Sequence, residues 1–220
     1  MKLYVYDHCP FCTRARMILG FRSLEVETLV LMNDDEATPI GLIGAKMVPI
    51  LVKPDGVAMG ESLDIVRWLD EYAGQQRLDE TIRPEVQVWF DQAGEYVNKL
   101  IMPRDIQLGL PEFATQSAID YFVEKKQKVI GDFAENLADT PKYLARLHQD
   151  LQELEAWLDL DRIKAGRWSM EDILLFPILR NLTMVKEMQM PAKVREYTEY
   201  VSQAAKVPLY FDRTKRDCFA

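Results

Sequence analysis

Apolar positions follow two rhythms along the chain. Residues 2 to 6 form a short, largely apolar run closed by Asp7 and a proline, which predicts a strand covered on both faces. From Thr13 the spacing turns helical, with Ala15, Ile18 and Leu19 on one face and Gly20 as the expected stop. Val26 to Leu31, rich in Val, Leu and Thr and followed by Asn33-Asp34-Asp35, reads as a second strand. A short helix is expected over Pro39 to Ala45. Val48 to Val52 and Val57 to Met59 flank Lys53-Pro54-Asp55-Gly56, whose turn chemistry predicts an antiparallel hairpin. Ser62 is expected to cap a helix in which Leu63, Val66, Leu69 and Ala73 recur beside Ile65 and Trp68, with Gly74 as its stop.

After the polar segment Gln75 to Arg83 the strand signals end. Pro84 opens a helix whose apolar face carries Val86, Trp89, Phe90, Ala93, Val97, Leu100 and Ile101. Further helices are expected around residues 117–137, 141–158, 170–187 and 192–206. In the third of these five, Leu144, Leu147, Leu151, Leu154 and Leu158 alternate spacings of three and four; two heptads are too few for a coiled coil, so a core helix is expected. The fold class that follows is an α/β unit with a four-stranded mixed sheet over residues 1–74, a linker over 75–83, and an all-α unit over 84–220.

Composition fits this picture and removes several function classes. The chain has 220 residues, 48% hydrophobic and 28% charged, enough to bury a core without metal or disulfide staples. Its net charge of -8 repels phosphate backbones, so no nucleic-acid partner is expected. The longest uncharged stretch, Ala37 to Ala45, is far shorter than a membrane span, and the apolar run after Lys2 is too short for a secretory signal. A cytoplasmic protein is expected. Three cysteines, an odd number in such a chain, favour thiol chemistry over a disulfide scaffold.

That chemistry is concentrated in Cys9-Pro10-Phe11-Cys12, where the first strand gives way to the first helix. A helix N-terminus stabilises an anion, so an exposed Cys9 thiol is the expected nucleophile. Cys12, one helical turn deeper, is the expected resolving thiol. Pro10 presets the first turn, Phe11 can shield the sulfur, and Arg14 and Arg16 add positive potential. Zinc is a poor reading because beyond this pair only Cys218, His8 and His148 remain as soft ligands. His8, beside the nucleophile, could tune its acidity or donate a proton, but a solvated loop residue is the expectation; His148 is expected at the surface and Cys218 to be incidental. Val48-Pro49 suits a cis peptide that turns the Val48 backbone toward a peptide laid beside it. Glu61-Ser62, opening a helix, combines a hydroxyl with free N–H groups that can receive a carboxylate, although taken alone ordinary capping is the stronger reading.

Taken together, Cys9-Pro-Phe-Cys12, Val48-Pro49 and Glu61-Ser62-x-Asp64 resemble the glutaredoxins, and the helical second half narrows the resemblance to the large two-domain bacterial glutaredoxin 2 subfamily. The opening KLYVYDHCPFC, VPIL and ES-x-DIV segments carry most of it. The resemblance implies a thioredoxin-like domain joined to a glutathione-transferase-like helical domain, and a glutathione-dependent thiol-disulfide oxidoreductase. Cys9 would be the glutathionylated cysteine, Val48 would pair with the glutathione backbone, Glu61 and Ser62 would hold its γ-glutamyl end, and Phe11 and Pro49 would line the site. Ser169-Met-Glu-Asp172 looks like the buried N-capping box of the transferase fold. Phe11 stands where many glutaredoxins have Tyr and Met47 where small polar residues are frequent, and Lys46 is no more than a nominal candidate for the glycine carboxylate. The implied partners are glutathione, as cosubstrate with no bound prosthetic group, and glutathionylated or disulfide-containing proteins; a monomer is implied. Rival readings are a glutathione transferase or dehydroascorbate reductase, which has no need of Cys12, and a protein that docks a partner or holds a cluster through Cys9 and glutathione.

Overall fold

Strand β1 (Lys2–Val5) lies inside a four-stranded sheet of order β2-β1-β3-β4, and its Leu3 and Val5 are buried. A computed structural model supplies this architecture and describes residues 1–213, so Cys218 lies outside the described residues. β2 (Glu27–Val30) pairs with β1 in parallel, as a strand-helix-strand crossover requires. β3 (Ile50–Val52) runs antiparallel to β1 and to β4 (Ala58–Met59), which forms the expected hairpin. The mixed sheet is the one the sequence pattern called for.

Helix α1 (Pro10–Arg22) joins β1 to β2 and packs on α3 (Ser62–Tyr72), with α2 (Ala37–Ile43) before β3. α1 starts three residues before Thr13, because Pro10 fits the first turn, and it runs through Gly20 to a left-handed Ser23. Gly20 has another reason to be glycine. A Cβ there would meet the Ala205 carbonyl oxygen at 2.1 Å, so the position marks a close backbone approach rather than a stop. The far ends of α1 and α3 are tied by Arg22, which donates to the Asp70 carboxylate at 2.7 Å and to the Gln76 carbonyl at 2.8 Å, both side chains being buried.

Two compact units result. The first comprises Met1–Arg77 together with Gly109–Glu124 and Ala205–Val207, and the second comprises Leu78–Leu108, Lys125–Ala204 and the described residues from Pro208 on. Residues 109–124 therefore belong with the sheet, although their pattern is helical. They hold a 3-10 turn at Pro111–Phe113 and the start of α6 (Gln116–Ile130).

The regular elements of the second unit among the described residues are helices, α4 (Pro84–Gly94), α5 (Val97–Asp105), the end of α6, α7 (Phe133–Ala138), α8 (Thr140–Trp157), α9 (Leu160–Lys164), α10 (Met170–Leu182) and α11 (Ala192–Ala205), with one isolated bridge between Asp79 and Ser169. Two helices expected to be continuous are broken. The first divides after Gly94, and the second at Gly131, whose φ of 83° leaves the helix before Asp132 caps α7 by accepting from the Glu135 N–H. The α10 helix ends at Leu182, short of residue 187. The leucines of α8 are buried, with Leu147 and Leu151 at 0% exposure, so they are core and not a coiled-coil seam. No helix among the described residues is long and apolar enough to cross a membrane.

Candidate active site

The chain leaves β1 at Val5, turns through Tyr6, Asp7 and His8, and enters α1 with Cys9 in the N-cap position. Cys9 takes the capping role that Ser or Asp usually fills: its Sγ accepts the Cys12 N–H at 3.4 Å. The thiol is less open than expected, since Cys9 is 8% exposed, while Cys12 is fully buried and its Sγ accepts the Tyr6 N–H at 3.4 Å. Both cysteines are free thiols.

Their environments separate their acidities. The Cys9 thiol is lowered from 9.0 to about 6, chiefly by the hydrogen bond from the Cys12 thiol; burial opposes this, and the charge of His8 and the N–H groups of Cys12 and Phe11 add to it. Burial pushes the Cys12 thiol well above its usual value, and the hydrogen bond to Cys9 and the Cys9 charge push it further. This order of acidities favours a thiolate at the first sulfur and a thiol that donates to it at the second.

Phe11 is half exposed beside the sulfur, and the Arg14 guanidinium lies 4.7 Å from its ring centroid. Arg14 also donates through Nη1 to the Ser62 hydroxyl at 3.4 Å, and burial lowers its pKa against the pull of the Cys9 charge. Phe11, Ser62 and the Cys9 charge thus meet around one guanidinium. Arg16 is paired with Asp7, which offsets its contribution.

Ser62 is not the cap. Glu61 occupies that position, its carbonyl accepting the Ile65 N–H at 3.0 Å, and Ser62 is the first helical residue. The Glu61 backbone, at φ 62° and ψ 106°, lies in a region that costs L-residues about 1–3 kcal/mol and that concentrates at ligand sites. Its side chain is exposed and makes no capping bond, so the first turn of α3 has N–H groups without a side-chain acceptor.

The Val48-Pro49 peptide is cis, with Pro49 buried and Val48 half-buried. The β1-β3 register, in which Tyr4 faces Ile50, carries these two residues back past the end of β1, where the Cys9 loop departs. The three donors of the Lys46 ammonium, the nominal candidate for the glycine carboxylate, are taken by the Tyr6 hydroxyl at 2.6 Å, the Asn33 carbonyl at 2.9 Å and the Asp35 carbonyl.

Residues 85–214 match the family model described as Glutaredoxin 2, C terminal domain, and residues 3–77 match Glutathione S-transferase, N-terminal domain. The chain is 40% identical over 209 residues to Glutaredoxin 2 of Escherichia coli (strain K12), covering 95% of this chain and 97% of that protein. The chain belongs to the glutaredoxin 2 family. The crystal structure of Glutaredoxin 2 from Salmonella typhimurium in complex with glutathione matches with a TM-score of 0.91 at 39% identity, over 97% of this chain and 98% of that one. A glutathione S-transferase from Rhodospirillum rubrum F11, 17% identical with a TM-score of 0.61 over 91% of this chain and 87% of that one, shares the fold alone.

In this glutaredoxin 2 chain the burial and the partner of one neighbour of the dithiol escaped sequence reasoning. His8 is not solvated: it is 7% exposed, and its Nδ1 lies 2.7 Å from Oε1 of Glu112, a residue 104 positions away and 0% exposed. Nothing in Leu110-Pro111-Glu112-Phe113 signals a site, because an isolated glutamate after proline is ordinary turn chemistry. His148 is half-buried, with Nε2 accepting the Gln189 N–H at 3.2 Å.

Proposed function

We propose that this glutaredoxin reduces glutathione mixed disulfides and protein disulfides with Cys9 as nucleophile and Cys12 as resolving thiol. The observation that carries this reading is the split acidity of two thiols within one helical turn, Cys9 lowered to about 6 and Cys12 raised. The Cys9 thiolate attacks the glutathione sulfur of a mixed disulfide, forming Cys9–S–S–glutathione and expelling the substrate thiolate, which takes a proton. A glutathione thiolate then attacks that sulfur bond, leaves as oxidised glutathione and returns Cys9 as the thiolate. With a protein disulfide, Cys9 attacks one sulfur and releases the first protein thiol, then Cys12 attacks the Cys9 sulfur, releasing the second protein thiol and leaving a Cys9–Cys12 disulfide that two glutathione molecules reduce, leaving as oxidised glutathione. Burial is the main cause of the raised Cys12 thiol, and the Cys9 charge adds to it; once Cys9 is in a disulfide that added repulsion is gone when Cys12 must react.

Glutathione is the cosubstrate. In the proposal its γ-glutamyl carboxylate takes the first-turn N–H groups of α3 and the Ser62 hydroxyl, its amino group takes Glu61, its backbone pairs with Val48 beside Pro49, and Phe11 flanks its sulfur. A transferase reading leaves Cys12 without a role. A working dithiol belongs to a reducing compartment, so the cytoplasm is its proposed location, where it acts as a monomer.

Reduction of a small glutathione mixed disulfide, coupled to glutathione reductase, tests the roles. Cys9→Ser is expected to lower the rate by at least about a thousandfold, whereas Cys12→Ser keeps this activity within about tenfold and loses reduction of protein disulfides. An active Cys9→Ser variant overturns the assignment. Conjugation of electrophiles to glutathione without disulfide reduction would move the chain to the transferase chemistry.

A further inference from the structure

His8 is the residue immediately before the nucleophile, and its surroundings are those of a held cation. Its ring lies parallel to Tyr6 (5.7 Å between centroids, 7° between planes), with Phe113 at 5.0 Å and the edge of Phe122 at 5.2 Å. Glu112 Oε1 receives both the His8 backbone N–H at 2.9 Å and the ring Nδ1 at 2.7 Å. The other oxygen, Oε2, is buried without a hydrogen-bond partner among the described residues. A buried carboxylate with one unsatisfied oxygen is costly unless a cation sits against it, and the imidazole is the group within reach. The carboxylate therefore favours the doubly protonated ring, and the Tyr6 face stacked on that ring favours the same charge. The Glu112 backbone is itself anchored, its carbonyl accepting the Asn33 N–H at 2.9 Å.

We propose that Glu112 is a positioning residue for the reaction: it holds His8 as an imidazolium beside the Cys9 sulfur and fixes the loop that presents that sulfur. The inference rests on Cys9 being the nucleophile. The positive charge of His8 is among the influences that lower the Cys9 thiol. Other charged or titratable groups around the loop are Tyr6, whose hydroxyl is raised by burial and bound by Lys46, the Asp7–Arg16 pair, Arg14 and Cys12. Tyr6 stays neutral and Asp7 is spent on Arg16, so Glu112 is the carboxylate that bonds the ring.

The test is the pH profile of Cys9 alkylation by iodoacetamide in the reduced full chain, read at Cys9 by peptide mass analysis, for wild type, Glu112→Gln, His8→Gln and the double variant. Glu112→Gln keeps an acceptor for both N–H groups and removes the charge. The wild-type midpoint is expected near 6. Each single variant is expected to move it upward by about one pH unit and to slow labelling at pH 6 several-fold with the plateau at high pH unchanged, and the double variant is expected to move it no further. His8→Gln keeps the backbone N–H bond to Glu112, so it answers the question even if Glu112→Gln does not fold. Variants that melt earlier but share the wild-type midpoint would reduce Glu112 to a structural role and overturn the inference. Absence of labelling at Cys9 below pH 8 in the wild type would instead overturn the nucleophile assignment.

Discussion

Two helix N-termini, each with a buried anion-stabilising cap, show how one local device serves chemistry in one place and stability in another. At the start of α10, Ser169 and Asp172 form a capping box in which the Asp172 carboxylate accepts the Ser169 N–H at 2.9 Å. The same carboxylate takes two guanidinium bonds from Arg162, at 2.8 and 2.9 Å, and the Tyr197 hydroxyl at 3.0 Å. Every face of that carboxylate is engaged, and it is 2% exposed. At the start of α1 the Cys9 sulfur accepts a long backbone bond from Cys12 at 3.4 Å and one from the neighbouring thiol, and the Phe11 N–H also favours its charge. Sulfur makes weak hydrogen bonds, so its charge is stabilised without being consumed. A saturated anion holds a helix in place, and an unsaturated one remains available to react.

The largest expected break in this contrast is at Asp172. Asp172→Ala leaves the Arg162 guanidinium and the Tyr197 hydroxyl without their buried partner, and a loss of about 3–5 kcal/mol in chemical denaturation is expected. The Cys9 alkylation midpoint of the folded variant should not move. A loss below about 1 kcal/mol would mean that the Asp172 network is not what holds α10.

A pH dependence sharpens the other side. The reduced Cys9 thiol is lowered on folding, so its contribution to stability is full above its ordinary value of 9.0 and is lost as pH falls through about 6. Between those limits reduced wild type should gain on Cys9→Ser by up to about 1.4 kcal/mol per pH unit in paired denaturation curves. A difference that stays flat over that window would show that Cys9 is not stabilised as an anion. The smallest effect is expected at Ser169, where Ser169→Ala removes one capping hydroxyl for about 1 kcal/mol with no change in mixed-disulfide reduction.

The two ends of α1 mark how far sequence reading reached. Cys9-Pro10-Phe11-Cys12 was legible because its chemistry depends on residues within one turn, and the hairpin was legible because Lys53-Pro54-Asp55-Gly56 carries its own turn geometry. Gly20 misled because a glycine reads as a helix stop until a neighbour is known, and the neighbour is the Ala205 backbone. Ser62 misled for a related reason: the positive φ of Glu61 moves the cap one residue earlier, and no local pattern announces that a glutamate will accept that conformation. His8 reads as a solvated loop residue because nothing near it in sequence can bury it.

The periodicity of apolar side chains, the turn residues and the C-x-x-C spacing were sufficient by themselves for the sheet, the helical second half and the thiol pair proposed to react, since each depends on neighbours within a few residues. The burial of Cys9, the commitment of Lys46 to Tyr6 and two carbonyls, and the pairing of His8 with Glu112 required the folded chain. Of these, the burial of Cys9 opposes its acidity and the neighbouring His8 favours it. Such features arise from contacts between residues as much as 104 positions apart, and the electrostatics of a buried group depend on what surrounds it in space rather than on what precedes it along the chain.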